Sequence, residues 1–298
     1  MFKNLLKLLS PLFVFQLMKN TFQEFFKEKS FFHGAALAYY AIFAMVPMLY
    51  LAVNYVGMIF GNKFMIEIIT EVLQSYVGID DVSGILKFLD GVNFEKSSFV
   101  LNAIGIAALL LSSTALLNSL RSSINEFYDI EPEYHSSKRM ILMTLITKLI
   151  SIVFLTAIGL VIIIFYFAET IFMSISSDWL SEFHTIQWLF ESFLHHAISI
   201  GSNVIIFMFM FKFLHDGIIK WRLSFYGAIF TSGLLYLGQM MINFYISNYF
   251  FGSSAGLAGT LLVILLWMYY SSQIIFLGAK FTKVLGDMLE MPILNRKY

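Results

Sequence analysis

Polar side chains set inside long apolar runs are the residues whose chemistry needs a reason. His33, Tyr40, Pro47 and Asn54 recur at every seventh position of one such run, which puts all four on one stripe of a helix. Thr114, Asn118, Arg121, Ser122 and Asn125 share a face in a second run, and His195, Ser199 and Ser202 share one further along. Ser232, Tyr236, Gln239 and Asn243 align in the next, and Tyr269, Gln273 and Lys280 in the last, with Asp287 continuing that stripe. Amides, hydroxyls, phenols and imidazoles of this kind solvate a polar guest or bond one helix to another. They do not make a nucleophile, and none can be nominated. The chain has no cysteine, which excludes disulfides, thiolate chemistry and cysteine-ligated zinc. His184, His195 and His196 with Glu182 and Glu191 match no metal-ligand cassette, and Gly256 and Gly259 in SSAGLAG lack a phosphate-loop lysine. No metal and no cofactor is expected, and the chain is read as a non-enzyme.

The elements that must carry these stripes follow from composition. The 298 residues are 59% hydrophobic and 13% charged, against roughly 25% charged in soluble domains. Net charge is zero, so no basic surface for a nucleic acid is expected. A spanning helix needs about 20 mostly apolar residues, and six segments qualify, near 35–60, 99–119, 141–168, 193–214, 223–247 and 257–279. The fold class is therefore all-α, a polytopic membrane protein with six transmembrane helices. Of 19 lysines and arginines, 16 fall in the N-terminal arm, the 120–148 and 212–222 connections and the C-terminal end. By the positive-inside rule both termini are cytoplasmic, and the acidic 169–192 loop lies outside.

Two further segments are expected as amphipathic interfacial helices. Residues 12–26 space Phe15, Met18, Phe22, Phe25 and Phe26 helically beside Lys19 and Glu24, and the first outer loop repeats the pattern from Phe64 to Val77. Lysines and Pro11 interrupt the first apolar stretch, so it is expected to be retained and not cleaved as a signal peptide. The organisation expected is an arm over 1–30, a membrane domain over 31–288 and a cytoplasmic tail over 289–298.

Three stretches resemble the YihY/BrkB family of bacterial inner-membrane proteins. ALAYYAIFAMVPML is similar to the opening of the family's first span. FKFLHDGIIKWRLSFYGAIFTSGLLYLGQMMINFYIS resembles its connection between the fourth and fifth spans, with Trp221, Arg222 and Gly227 in order. LLWMYYSSQIIFLGAKF resembles its closing segment. The resemblance covers roughly residues 30–288 and implies a six-span protein of the bacterial inner membrane. It also implies a part in handling lipids or other envelope components, and it carries an old ribonuclease label regarded as a misassignment. The family usually has glutamate where Lys280 stands and a tyrosine before the glycine-alanine step replaced here by SSAGLAG.

Two expectations follow. In one, the stripes line a polar intramembrane cavity for transport or export of a lipid or envelope component, with Tyr40, Pro47, Asn54, Asn118, Arg121, Tyr236, Gln239, Asn243, Gln273 and Lys280 lining or gating it. In the other, they only join helices in a membrane scaffold. Partners are membrane lipids and, for the scaffold, envelope proteins. Lys280 itself is read as an anchor that snorkels to lipid phosphates or as an inner gate.

Overall fold

The computed structural model describes residues 10–51, 57–71, 82, 99–130, 153–154, 157–165, 167–175, 184–249 and 256–295. The described residues are mostly helical. In chain order the elements are α1 (Pro11–Lys27), α2 (Ser30–Leu51), α3 (Gly57–Phe60), α4 (Asn62–Glu71) and α5 (Phe99–Phe127), then α6 (His184–Phe213), β1 (Gly217–Ile218), α7 (Trp221–Tyr249), α8 (Gly256–Met288) and β2 (Leu294–Asn295). Among the described residues six helices are long and apolar enough to cross a membrane: Ser30–Leu49, Ala103–Phe127, Ala157–Ile175, Gln187–Phe213, Trp221–Ile242 and Leu261–Met288. The all-α, six-span expectation holds.

Boundaries differ from the sequence reading where a charge interrupts an apolar run. The third span continues through Glu169 to Ile175, although that carboxylate reads as the start of a loop. The sixth runs on through Lys280, Lys283 and Asp287 to Met288. Both helices persist because the charges find partners, described below. Pro47 lies inside α2, where it removes the N–H that would bond the Phe43 carbonyl, yet the helix continues to Leu51.

Proline at the first position of α1 costs nothing, because its missing N–H would have been unpaired there. Leu17, Thr21 and Phe25, four residues apart, are buried, while Leu12, Phe15, Phe22 and Phe26 are exposed. The helix is amphipathic as expected, but Phe25 belongs to the packed face and not to the interface aromatics. Its ring stacks on Phe127 with centroids 6.0 Å apart. Of the expected outer-loop helix, α4 is present; residues 72–81 lie outside the described set. Gly61, with φ of 93°, makes the turn between α3 and α4 in a conformation that favours glycine.

The chain divides into two compact units. One comprises Met1–Lys27, Ile124–Leu234 and Leu277–Tyr298; the other comprises Glu28–Ser123 and Leu235–Phe276. In the first unit, β1 pairs antiparallel with β2, Gly217 opposite Asn295 and Ile218 opposite Leu294. The Asn125 side-chain amide donates to Asp216 Oδ2 at 2.7 Å and its Oδ1 accepts from the Asp216 backbone N–H at 2.9 Å. His215 Nε2–H donates to the Phe211 carbonyl at 2.9 Å and its Nδ1 accepts from the Gly217 N–H, also at 2.9 Å. These bonds make a fixed turn of the polar connection between α6 and α7.

Helices α7 and α8 approach closely within this unit. A Cβ on Gly227 would fall on the Thr282 hydroxyl, and one on Gly278 would fall on the Thr231 hydroxyl. Each threonine donates to the carbonyl four residues back on its own helix, Thr231 to Gly227 and Thr282 to Gly278, both at 2.7 Å. Buried hydroxyls are thus satisfied without a partner across the interface. Phe230 and Phe281 stack beside them, ring centroids 4.0 Å apart.

Candidate functional site

By chain position, nine of the ten candidates fall in the second unit and Lys280 alone in the first. Asn54 and the side chain of Asn243 lie outside the described residues. Tyr40, Pro47, Arg121, Tyr236, Gln239 and Gln273 are half-buried, and Asn118 is exposed.

Within the second unit the first turn of α2, the end of α5 and the middle of α8 converge on Gln273. Its Nε2 donates to the Ser30 carbonyl at 3.3 Å, while its Oε1 is buried with no partner among the described residues. The Ser30 hydroxyl is likewise buried, with no partner among the described residues. Gly34, one turn along α2, leaves the space that the Gln273 amide occupies, and the Tyr269 ring closes the same spot at 3.5 Å. Beside them His33 Nδ1 and Ser123 Oγ are 2.9 Å apart, and the His33 ring meets Phe276 edge-on with centroids 6.2 Å apart. The helical spacing put His33 and Tyr40 on one stripe and Tyr269 and Gln273 on another. The polar stripes do not include Ser30, Gly34 or Ser123, although small residues recur at every fourth position from Ser30 through Gly34 to Ala38. Amide oxygen, hydroxyl and imidazole together offer neutral hydrogen-bonding chemistry, suited to hydroxyl, amine or water. Leaving buried acceptors unpaired costs about 1–3 kcal/mol each, so the cluster favours a polar guest.

Lys280 is not a snorkelling anchor. Its side chain is 2% exposed, and its Nζ lies 3.8 Å from Asp129 Oδ1 and 4.0 Å from Glu24 Oε2. Lys283 Nζ stands 3.6 Å from Asp129 Oδ2 and bonds Asp287 on its own helix at 3.0 Å. Asp129 reaches this position from a left-handed backbone conformation, φ 54°, just after α5, where the Ile130 N–H returns to the Asn125 carbonyl at 2.8 Å. Aspartate tolerates that conformation better than most side chains. Lys280 therefore clasps the arm helix and the end of α5 to α8.

Tyr128 lies beside the clasp, just beyond the end of α5, and is buried, its hydroxyl making no full hydrogen bond among the described residues. Burial pushes its phenol far above the usual range; the Thr282 hydroxyl is near enough to offset a small part without a full hydrogen bond. The folded chain then holds the phenolic proton more tightly than the unfolded chain, whose value is 10.0. Its contribution to stability is complete below that pH and is lost as pH rises through and beyond it. Tyr128→Phe is expected to be neutral or stabilising by up to about 1 kcal/mol at neutral pH. Thermal unfolding followed to alkaline pH should show wild type losing more stability above about pH 10 than the phenylalanine variant.

The sequence profile of the virulence factor BrkB family matches residues 21–292. A UPF0761 membrane protein of Stenotrophomonas maltophilia is 25% identical over 277 residues, 90% of this chain and 60% of its own length. Another UPF0761 membrane protein, from Glaesserella parasuis, is 25% identical over 200 residues, 65% of each chain. A protein of Bacillus subtilis named as the putative ribonuclease-like protein YfkH is 20% identical over 282 residues, 92% of this chain and 97% of its own. The chain thus spans 60% of the length of the Stenotrophomonas relative. No solved structure matches it. With a profile match running from the arm helix α1 to the end of the described chain's last helix and beyond, this six-span membrane protein belongs to the virulence factor BrkB family.

Proposed function

We propose that this integral membrane protein moves an amphipathic solute, a lipid or another envelope component, past the polar cluster centred on Gln273. The reading rests on one observation: among the described residues Gln273 Oε1 and Ser30 Oγ are buried and have no hydrogen-bond partner, in helices apolar enough to span a membrane. Hydrocarbon cannot satisfy such groups, whereas a headgroup hydroxyl or amine passing between them can. The basic residues clustered in the arm and connections support cytoplasmic termini, and the family resemblance supports a bacterial inner membrane as the setting. The activity is transport and not catalysis.

The test is a proteoliposome assay with headgroup-labelled phosphatidylethanolamine and phosphatidylglycerol, read by the fraction accessible to a membrane-impermeant quencher. Wild type is expected to exchange label between leaflets faster than protein-free vesicles. Gly34→Val, which drives a branched side chain into the space of the Gln273 amide, is expected to slow that exchange at least tenfold while still inserting. Wild-type exchange no faster than in empty vesicles, for every headgroup, would sink the transport reading. The exposed aromatic face of α1 supports a scaffold as the second reading; crosslinking through Phe15 or Phe22 that recovers only lipid would remove it.

A further inference from the structure

The third span and α6 meet at a pair of titratable side chains. Glu169 is the lone acidic or basic residue of the span Ala157–Ile175. None of the described residues in that span's most apolar window is buried, yet the Glu169 side chain is only 15% exposed, because it turns towards α6. There its Oε1 lies 2.5 Å from His195 Nδ1. Phe165, one turn earlier, lies 3.8 Å from the position of a Cβ on Gly201 of α6. Both contacts run in the antiparallel sense, the later residue of the third span against the earlier residue of α6, so the pair lies along the helix contact.

The choice of partner is informative. An ionised carboxylate among apolar spans needs compensation, and lysine or arginine would supply a permanent positive charge. Imidazole instead gains and loses its charge near neutral pH. With one proton on the imidazolium or on the carboxyl beyond the neutral ring's own, the pair has zero net charge and keeps its hydrogen bond. Losing that proton leaves a net charge of −1 where the surroundings solvate it poorly. Among the described residues, the other titratable groups here are on α6: His196, whose ring centroid is 5.6 Å from that of His195, and Glu191, whose Oε1 accepts from Gln187 Nε2 at 2.9 Å. The third span contributes no other charge.

We propose that Glu169 and His195 form an intramembrane proton-binding site that loads and releases a single proton, with the ligand supplied from water near the connection between the third span and α6. Loading takes the pair from −1 to neutral and strengthens the bond between the two helices; release weakens it. The site stands independently of the transport reading.

The full-length protein, labelled with ¹⁵N in its histidine rings and reconstituted in phosphatidylethanolamine–phosphatidylglycerol vesicles, tests this by solid-state NMR between pH 5 and 10. The His195 signals are those missing from His195→Gln. In wild type the His195 ring is expected to change protonation within that range. Glu169→Gln is expected to lose the His195 imidazolium signal at pH 7, and Glu169→Asp to keep it. A His195 ring unchanged from pH 5 to 10, or one that behaves identically in wild type and Glu169→Gln, overturns the proposal. If the variants fail to insert, ¹³C-labelled glutamate in wild type supplies the second reading. A Glu169 carboxyl and His195 ring that respond over the same pH interval support the site, and responses over separate intervals overturn it.

Discussion

Lys280→Glu is expected to destabilise the folded protein by about 3–5 kcal/mol, enough to abolish a cooperative thermal transition in detergent. The substituted carboxylate would be buried where the lysine is now 2% exposed, facing Asp129 and Glu24, so three like charges would meet beside Lys283. Lys280→Met is expected to cost far less, about 1 kcal/mol, because Asp129 and Glu24 are 64% and 44% exposed and stay hydrated when the lysine is gone. The discriminating measurement is a charge exchange. Lys280→Glu combined with Glu24→Lys and Asp129→Lys should recover at least half of the lost stability, read from thermal unfolding of purified protein. Equal stabilities for wild type and Lys280→Glu would remove the clasp. The same argument applies to relatives with glutamate at this position: the residues matching Glu24 or Asp129 there should be basic, or the arm should pack differently.

Lys280 also shows what one sequence does and does not disclose. Apolar length located all six spans, and helical spacing located the arm helix, because both depend only on how a helix faces its surroundings. The nearest neighbour of each polar residue depends on long-range packing that spacing alone leaves open. The stripe placed Lys280 with Gln273, yet it pairs with Glu24 and Asp129, which come from distant parts of the chain. Glu169 read as a loop residue for the same reason: the sequence shows a carboxylate ending an apolar run, and only the packed helices show the histidine that lets the run continue. His215 and Asp216 sit in a connection that reads as a polar loop; their burial follows from the Asn125 bonds and the short β pairing. Gln273 was legible as an inward polar group, but its unpaired oxygen was not.

The close contact of α7 and α8 carries the second large effect. The spacing Ser224, Ala228, Ser232 reads as the small-residue track for a neighbouring helix, whereas the closest approach in the structure is made by Gly227 with Thr282 and by Thr231 with Gly278. The two glycine-to-threonine steps, each four residues long, were visible in the sequence; their reciprocity was not. Gly227→Ala and Gly278→Ala are each expected to destabilise by about 1–3 kcal/mol, because the new methyl must displace a threonine hydroxyl whose helix cannot move without disturbing Phe211, 3.4 Å and 3.2 Å from the two added carbons. Thr282→Ala should relieve Gly227→Ala, and Thr231→Ala should relieve Gly278→Ala, so each double variant is more stable than its glycine single variant. Gly233→Ala is the control within α7: a Cβ there meets nothing within 4 Å, and alanine's better helix propensity should leave it neutral or stabilised by up to about 1 kcal/mol. Unfolding of the purified variants in a common detergent separates the cases. If Gly227→Ala and Gly233→Ala shift stability alike, the two helices are not held by this contact; opposite signs identify the paired glycines and threonines as the close joint within this unit.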